Sequence, residues 1–450
     1  MLTQHNNRRV GRCSLNNTLK VSDIFAIGFM TFAFFLGAGN IIFPPQAGLS
    51  AGDNLLPAMF GFLSTAVGLP LIGIIAVAVA GGGWKGLTRD LPPQLATLMA
   101  VLIFIIIGPA FAAPRTGLVA YEMAVKPFMA DGGQTSLTIF SVVFFGLALF
   151  FAWSRGRLID SIGKLLTPAL FAVLAILAVA VFLNPQSEIQ AAQGDYVNMA
   201  FTKGFLEGYN TMDTFAALMF GMLIVDVIRN KGIKDDKATC KYLMMAGVIA
   251  AAGLAFVYIS LFYLGATSAA VAEGAANGGA ILAGYVLALF GPVGQYILSA
   301  IVMLACLTTA IGLISACSDY FSSLTRLSYE TWAVILAVIC GVVANVGLNQ
   351  LISLSVPVLF ALYPVAVALV ILTFVRRWLP NPRLAYRVVL LVSLVFSLID
   401  AAKVIGLDMS FLSFLPMFDY GMAWTTPTLL ALAVTRFIRA DIREPKAQTV

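Results

Sequence analysis

Apolar residues in this chain do not alternate or mark one helical face; they run unbroken for about twenty residues at a time. Twelve such runs can be traced, near 23–46, 55–80, 94–121, 136–153, 164–183, 205–228, 242–267, 290–317, 331–348, 353–375, 386–406 and 420–438. A helix of roughly 20 apolar residues spans the hydrocarbon core of a bilayer. Backbone crossing that core must satisfy its own hydrogen bonds, which leaves helices and closed barrels. The pattern predicts an all-α polytopic membrane protein of about 12 transmembrane helices. Two runs carry polar or small residues at membrane depth. The first contains Phe34-Phe35-Leu36-Gly37-Ala38-Gly39-Asn40-Ile41-Ile42-Phe43-Pro44-Pro45, and the sixth contains Glu207-Gly208-Tyr209-Asn210-Thr211-Met212-Asp213-Thr214. Gly-Ala-Gly-Asn followed by Pro-Pro is not a sequence that a uniform helix selects. Such breaks serve either as packing kinks or as sites, because open backbone at that depth has to be buried or face a wet cavity. Broken segments five spans apart cross the membrane in opposite directions, the pattern of a five-plus-five inverted repeat. We therefore expect a cytoplasmic tail over 1–22, helices 1–5 over 23–183, an inverted second repeat (helices 6–10) over 205–375, two further helices over 386–438 and a cytoplasmic tail over 439–450.

Charge sets the orientation. Only 11% of the 450 residues are charged against 60% hydrophobic, about half the charge of a soluble domain. With the N-terminus inside, 23 of the 27 Lys and Arg fall in inside segments, leaving Arg115, Lys126, Lys203 and Lys403. That bias predicts a multi-pass protein with both termini cytoplasmic. Residues 1–20 are polar, so the first apolar run reads as a span and not as a cleavable signal. The net charge of +6 belongs to loops and points to no nucleic acid. The five cysteines lack paired or metal-like spacing. The single histidine, His5, lies in the polar tail, which argues against a histidine-based membrane enzyme. No nucleotide-binding loop or channel-filter pattern is present, so an ATP-driven pump and a channel lack support.

Candidate chemistry gathers at the two breaks. Gly37, Ala38 and Gly39 expose amides at a half-helix N-terminus, where an anion such as a carboxylate is favoured. Asn40, Thr211 and Asp213, beside Gly208, Tyr209 and Asn210, supply oxygens for a cation or an ammonium. Asp213 reads as cation ligand, ammonium partner or proton carrier, since an acid within a span is costly. Arg115, in a third span made irregular by Pro109 and Pro114, either lines the outer vestibule or pairs with Glu122. Thr308 and Thr309 offer hydroxyls, although threonines commonly satisfy themselves on the carbonyl one turn back. Asp226 is expected to pair with Arg229, and Asp400 with Lys403 one turn along. Phe34, Phe43, Tyr209 and Phe215 are candidates for side-chain selectivity, or for packing.

Three motifs, Phe34 to Pro45, Ala113-Pro114-Arg115-Thr116 and Gly208-Tyr209-Asn210-Thr211-Met212-Asp213, together resemble the branched-chain amino acid:cation symporter family (the BrnQ type). The resemblance extends over nearly the whole chain in length, span number and motif order. It implies cation-coupled, usually sodium-coupled, uptake of leucine, isoleucine and valine across a bacterial inner membrane. Sodium would be the coupling ion, no other cofactor is implied, and a proton-coupled or uncoupled transporter on the same fold is the alternative. The family is similar to the wider inverted-repeat amino acid/sodium symporters. That similarity implies a sodium held by the carbonyls of Ala33 and Leu36 and by Ala305, Thr308 and Thr309, which keep the i, i+3, i+4 spacing. It also implies a second cation at Asn40 and Thr211, where Asp213 is an unusual neighbour. The lipid bilayer is the surrounding partner; oligomeric state stays open.

Overall fold

The computed structural model describes residues 18–81, 83–129, 133–153, 157–233 and 235–438, with only the backbone of 157–167. The tail expected over 439–450, most of that over 1–22, and with them His5 and Cys13 lie outside the described residues. Each of the twelve apolar runs contains helix. The first run is split into α1 (Val21–Phe35) and α2 (Ala38–Ala51), and the second comprises α3 (Leu55–Leu63) and α4 (Leu69–Val79). A short α5 (Trp84–Leu87) precedes the third run, α6 (Pro93–Ile105) and α7 (Ala112–Ala124). Then come α8 (Gln134–Ala152), α9 (Arg157–Leu183), the two halves of the sixth run, α10 (Tyr196–Glu207) and α11 (Asp213–Asn230), and α12 (Asp236–Ala266). The chain closes with α13 (Gly278–Leu324), α14 (Tyr329–Ala344), α15 (Leu348–Val375), α16 (Pro382–Val404) and α17 (Thr425–Thr435).

Among the described residues seven helical stretches are long and apolar enough to cross a membrane, or eight if the pair Tyr196–Thr211 and Asp213–Asn230, bent by 44°, is one span. Four shorter apolar helices fall on other runs: Val21–Phe35, Pro168–Leu183, Tyr329–Ala344 and Thr425–Thr435. The last is only 11 residues long, well short of the run over 420–438. The segment 268–289, between the seventh and eighth apolar runs, is partly helical, because α13 begins at Gly278 and turns sharply at Gly291 (φ 64°), ahead of Pro292.

Two groups of helices emerge from the packing. α1, α2, α3, α4, α10, α11 and α12 pack on one another, and α7, α8, α13 and α14 form a second set, joined to the first where α13 and α7 meet α2. Glycines set the closest crossings of the first group. A β-carbon at Gly48 would stand 2.0 Å from the Phe262 carbonyl oxygen, and one at Gly265 would stand 2.0 Å from that of Pro45. The same reciprocal arrangement joins α3 to α10, through Gly61 with Phe201 O (1.9 Å) and Gly204 with Ala58 O (2.0 Å). Helices in lipid gain little from hydrophobic exclusion, so small residues that let backbones touch carry the association. The crossings of spans one with seven and of spans six with two are equivalents under a five-plus-five inverted repeat.

Candidate functional site

The break in the first span can be followed bond by bond. Leu36 N–H reaches Phe32 O (2.8 Å) as in a helix, but Gly37 N–H turns to Phe35 O (2.7 Å) and Asn40 N–H to Gly37 O (3.2 Å). The amides that would have closed on Ala33 O and Leu36 O are thereby diverted, and α2 starts afresh at Ala38. A new helix start leaves its first amides, those of Ala38 and Gly39, without partners in a preceding turn. Freed carbonyls and freed amides therefore stand side by side.

In the sixth span the chain tightens through Gly208–Thr211 and flips at Met212, whose φ of 62° is left-handed. A left-handed non-glycine residue is strained and persists only where its surroundings hold it. Here Tyr363 holds the start of α11: its hydroxyl donates to Thr214 Oγ1 (2.8 Å) and accepts from Thr214 N–H (3.3 Å). Asp213 occupies the first turn of α11, where the helix dipole favours a negative charge.

The two breaks meet through side chains. Asn40 Nδ2 donates to Asp213 Oδ2 (2.8 Å) and also to the Tyr258 hydroxyl. The Tyr258 hydroxyl in turn donates to Asp213 Oδ2 (2.9 Å). Arg115 comes from α7 on the opposite side; it is 4% exposed, and its Nη1 donates to Asn210 O (2.8 Å) inside the break. Its guanidinium lies over the Phe43 ring (5.1 Å to the centroid), while its Nε has no hydrogen-bond partner among the described residues. A β-carbon at Gly39 would stand 3.0 Å from Arg115 Nη2, so that glycine admits the guanidinium to the freed amides. A buried cation and the buried Asp213 carboxylate, 2% exposed, thus face one break from two sides and interact coulombically.

Of the two sequence alternatives for Arg115, pairing with Glu122 is not what the structure has: Glu122 binds Lys126 (2.9 Å). Arg229 bridges Asp236 (3.2 Å) instead of Asp226. Lys403 donates to Phe418 O (3.0 Å), and Asp400 accepts from Ala423 N–H (3.2 Å), so these two do not satisfy each other. The Asn40 and Thr211 pair is separated by Asp213. Asn40 binds the carboxylate, whereas the Thr211 hydroxyl donates to Gly208 O (2.9 Å) and lies 3.4 Å from Asp213 N. Asn210 Nδ2 donates away from the break, to Glu207 Oε2 (2.9 Å). Thr308 and Thr309 each donate to Ala305 O (2.9 Å). That is the common back-bond, yet it also gathers three oxygens at one point on α13. α13 packs on α2, and the Thr309 methyl lies 3.6 Å from where a Gly37 β-carbon would be.

The aromatic candidates divide. Phe43 touches the guanidinium, Tyr209 stacks on Tyr363 (4.2 Å) and Phe215 meets Tyr363 edge-on (5.0 Å), but Phe34 packs on Phe220 (5.6 Å). Sequence reasoning missed Tyr258 and Tyr363. The available signal was a tyrosine inside an apolar span, whose hydroxyl needs a partner once buried.

Residues 20–442 match the family described as "Branched-chain amino acid transport protein". The chain is 46% identical over 420 residues to the branched-chain amino acid transport system 2 carrier protein of Pseudomonas aeruginosa, covering 92% of this chain and 96% of that one. It is 40% identical over 423 residues to the branched-chain amino acid permease BrnQ of Escherichia coli K12, covering 93% and 96%. Among solved structures it is similar in fold to the nucleobase-cation-symport-1 family transporter MHP1 (TM-score 0.56, 15% identity, 92% and 91% covered). It is likewise similar to MhsT, solved with L-phenylalanine (TM-score 0.54, 15% identity, 91% and 97% covered). The all-α, inverted-repeat transporter fold and the BrnQ-type resemblance are thus supported, and with transport proteins as relatives the chain is not an enzyme. It belongs to the branched-chain amino acid transport protein family.

Proposed function

We propose that this protein imports leucine, isoleucine and valine across a bacterial inner membrane by symport with a monovalent cation, sodium in the first instance, through alternating access. The observation that carries this is the meeting of two broken helices around Arg115 and Asp213. Each part of an amino acid has a counterpart there. Its carboxylate sits at the Ala38 and Gly39 amides and the Arg115 guanidinium, whose planar donors suit two oxygens at once. Its ammonium faces Asp213 and the carbonyls of the Gly208–Thr211 segment. Its side chain lies among apolar residues near Phe43, Phe215 and the Tyr209 ring. An apolar pocket separates substrates differing by one methylene by only about 1–3 kcal/mol, so the three branched-chain amino acids share it.

Sodium sits on the diverted carbonyls of Ala33 and Leu36 and on the three oxygens of Ala305, Thr308 and Thr309. It joins α1 of one helix group to α13 of the other and orders the half-helix that receives substrate. The first group then tilts against the second, moving the site from one face to the other. The basic inside segments put both termini in the cytoplasm.

Uptake of radiolabelled leucine into proteoliposomes tests this, with an imposed sodium gradient and, separately, a proton gradient. Sodium-driven accumulation abolished by Thr308→Ala or Thr309→Ala is the expected result. Accumulation driven by protons alone would reject the sodium seat and favour the second reading, in which Asp213, buried among the neutral donors Asn40 and Tyr258, carries the proton. No leucine uptake under either gradient would reject the substrate assignment.

A further inference from the structure

Away from Arg115 and Asp213, the back of the sixth-span break faces the segment 418–424 that joins α16 to α17, outside the repeat. Asp400 on α16 is 1% exposed. Its Oδ1 accepts from Ala423 N–H (3.2 Å), the Trp424 backbone N–H also acts on the carboxylate, and its Oδ2 has no hydrogen-bond partner among the described residues. The Thr428 hydroxyl is also buried without a partner among the described residues, and the buried Tyr209 hydroxyl and Trp424 indole N–H approach each other, short of a well-formed hydrogen bond. Tyr209 lies within electrostatic reach of Asp400 and beside the Trp424 side chain. Two contacts staple the segment 418–424 onto α16: Lys403 Nζ on Phe418 O (3.0 Å) and Ala423 N–H on Asp400. Gly421 abuts Leu206 and Phe360, which seats Trp424 against the break.

An unpaired carboxylate in a membrane interior is rare and marks an ion path or proton relay unless a cation compensates it. Lys403, one turn along, spends its ammonium on two loop carbonyls and on the Phe418 ring. Tyr363 stands behind Tyr209 on α15, and Glu207 near the break is held by Lys203 (3.0 Å). Asp419 and Tyr420 in the loop are exposed, and α17 carries no charged residue. Lys403 acts on Asp400 only through space, and among the described residues no Lys or Arg pairs directly with its carboxylate.

We propose that Asp400 and Tyr209 form a second monovalent-cation site, taking a proton or a sodium ion, that binds the appended helices to the broken sixth span during transport. Occupied by a proton, Asp400 would donate to the Tyr209 oxygen. Occupied by sodium, the carboxylate and the Tyr209 hydroxyl would each give one oxygen. This role in transport rests on the symport reading above, whereas binding at the site does not.

The test has two arms. Purified protein is melted in sodium against choline at equal ionic strength, and in alkaline against mildly acidic buffer. Asp400→Asn should diminish one of the two cation-dependent rises in Tm, and which rise is diminished identifies the ion; if it is the sodium rise, Thr309→Ala should diminish it separately and the double variant should lose both parts. No such rise in the parent, or an undiminished one in Asp400→Asn, overturns the proposal. If Asp400→Asn does not fold, Tyr209→Phe should weaken the midpoint of the same response about threefold or more, the order of one lost oxygen contact. An unchanged midpoint overturns the proposal. In the second arm, gradient-driven leucine accumulation by Asp400→Asn should fall about tenfold at a tenfold imposed gradient, since one cation leaves the stoichiometry. Leucine counterflow persists in that variant, and Asp400→Glu restores accumulation. Failure of the parent to accumulate leucine rejects the symport reading and leaves the melting arm to decide the site.

Discussion

A carboxylate 2% exposed within a membrane span is tolerated because its neighbours replace water, and Asp213 has Asn40, Tyr258 and its own helix start for that purpose. Asp213→Asn keeps the shape and removes the charge that, in the proposed binding mode, faces the substrate's ammonium. Leucine uptake should fall by at least about tenfold, or roughly 1.4 kcal/mol of lost binding, read as the concentration giving half-maximal uptake. Arg115→Lys should raise that concentration by about 10–100-fold, because an ammonium cannot hold two carboxylate oxygens and a backbone carbonyl in one plane. Maximal rate should change less than affinity. Equal affinity in both variants would remove the two residues from the binding site. The motifs at 37–40 and 208–213 were legible in the sequence because Gly, Pro and acids are conspicuous inside apolar runs. Tyr258 was not, since nothing in one helix tells which of its tyrosines will face a carboxylate on another.

For the elements, the deciding feature is the distance at which helices cross. Gly48 on α2 and Gly265 on α12 each bring a carbonyl to 2.0 Å from where a methyl group would be, a spacing that no rotamer change relieves. Gly48→Ala should therefore push the two helices apart, lowering stability by about 1–3 kcal/mol and impairing transport through the displaced break. Tm and uptake in the same preparation check this; a parent-like Tm would show the crossing to be loose. Gly146, with open space around its would-be β-carbon, is the control position. The sequence showed which runs contain glycine but not which glycines lie at crossings, because all helices here are apolar on every side and no periodic face marks the contact. The short α17 is a related case: hydropathy extended the run to 420–438, whereas Lys403 and Asp400 hold the backbone before Thr425 in a loop.

At the scale of the whole molecule, two ion pairs tie separate elements at one end. Arg376, just after α15, binds Asp90 before α6 (2.5 Å), and Lys231 binds Asp23 at the start of α1 (2.6 Å). Asp90 is 8% exposed and the Lys231 pair is more open, so the first should matter more to stability. A double-mutant cycle with Asp90→Asn and Arg376→Gln, followed by thermal melting, should give a coupling of about 0.5–3 kcal/mol. The same cycle at Asp23 and Lys231 should give a smaller value that fades with salt. Comparable couplings would contradict the difference in burial.

The sequence by itself determined the solvent in which this protein folds, its helices, the two breaks and the family, because each is written in composition or in a contiguous motif. A bilayer penalises every unsatisfied backbone group, so a Gly-rich or polar interruption inside an apolar run stands out without any knowledge of its neighbours. Tertiary structure alone decided the partners. It turned Arg115 toward Asn210 and not Glu122, put Asp213 between Asn40 and Thr211, and separated Asp400 from Lys403. Residues one turn apart on a helix can always meet in principle. Whether they do depends on which groups other helices bring to the same depth, and a buried charge takes the partner that replaces most of its lost water.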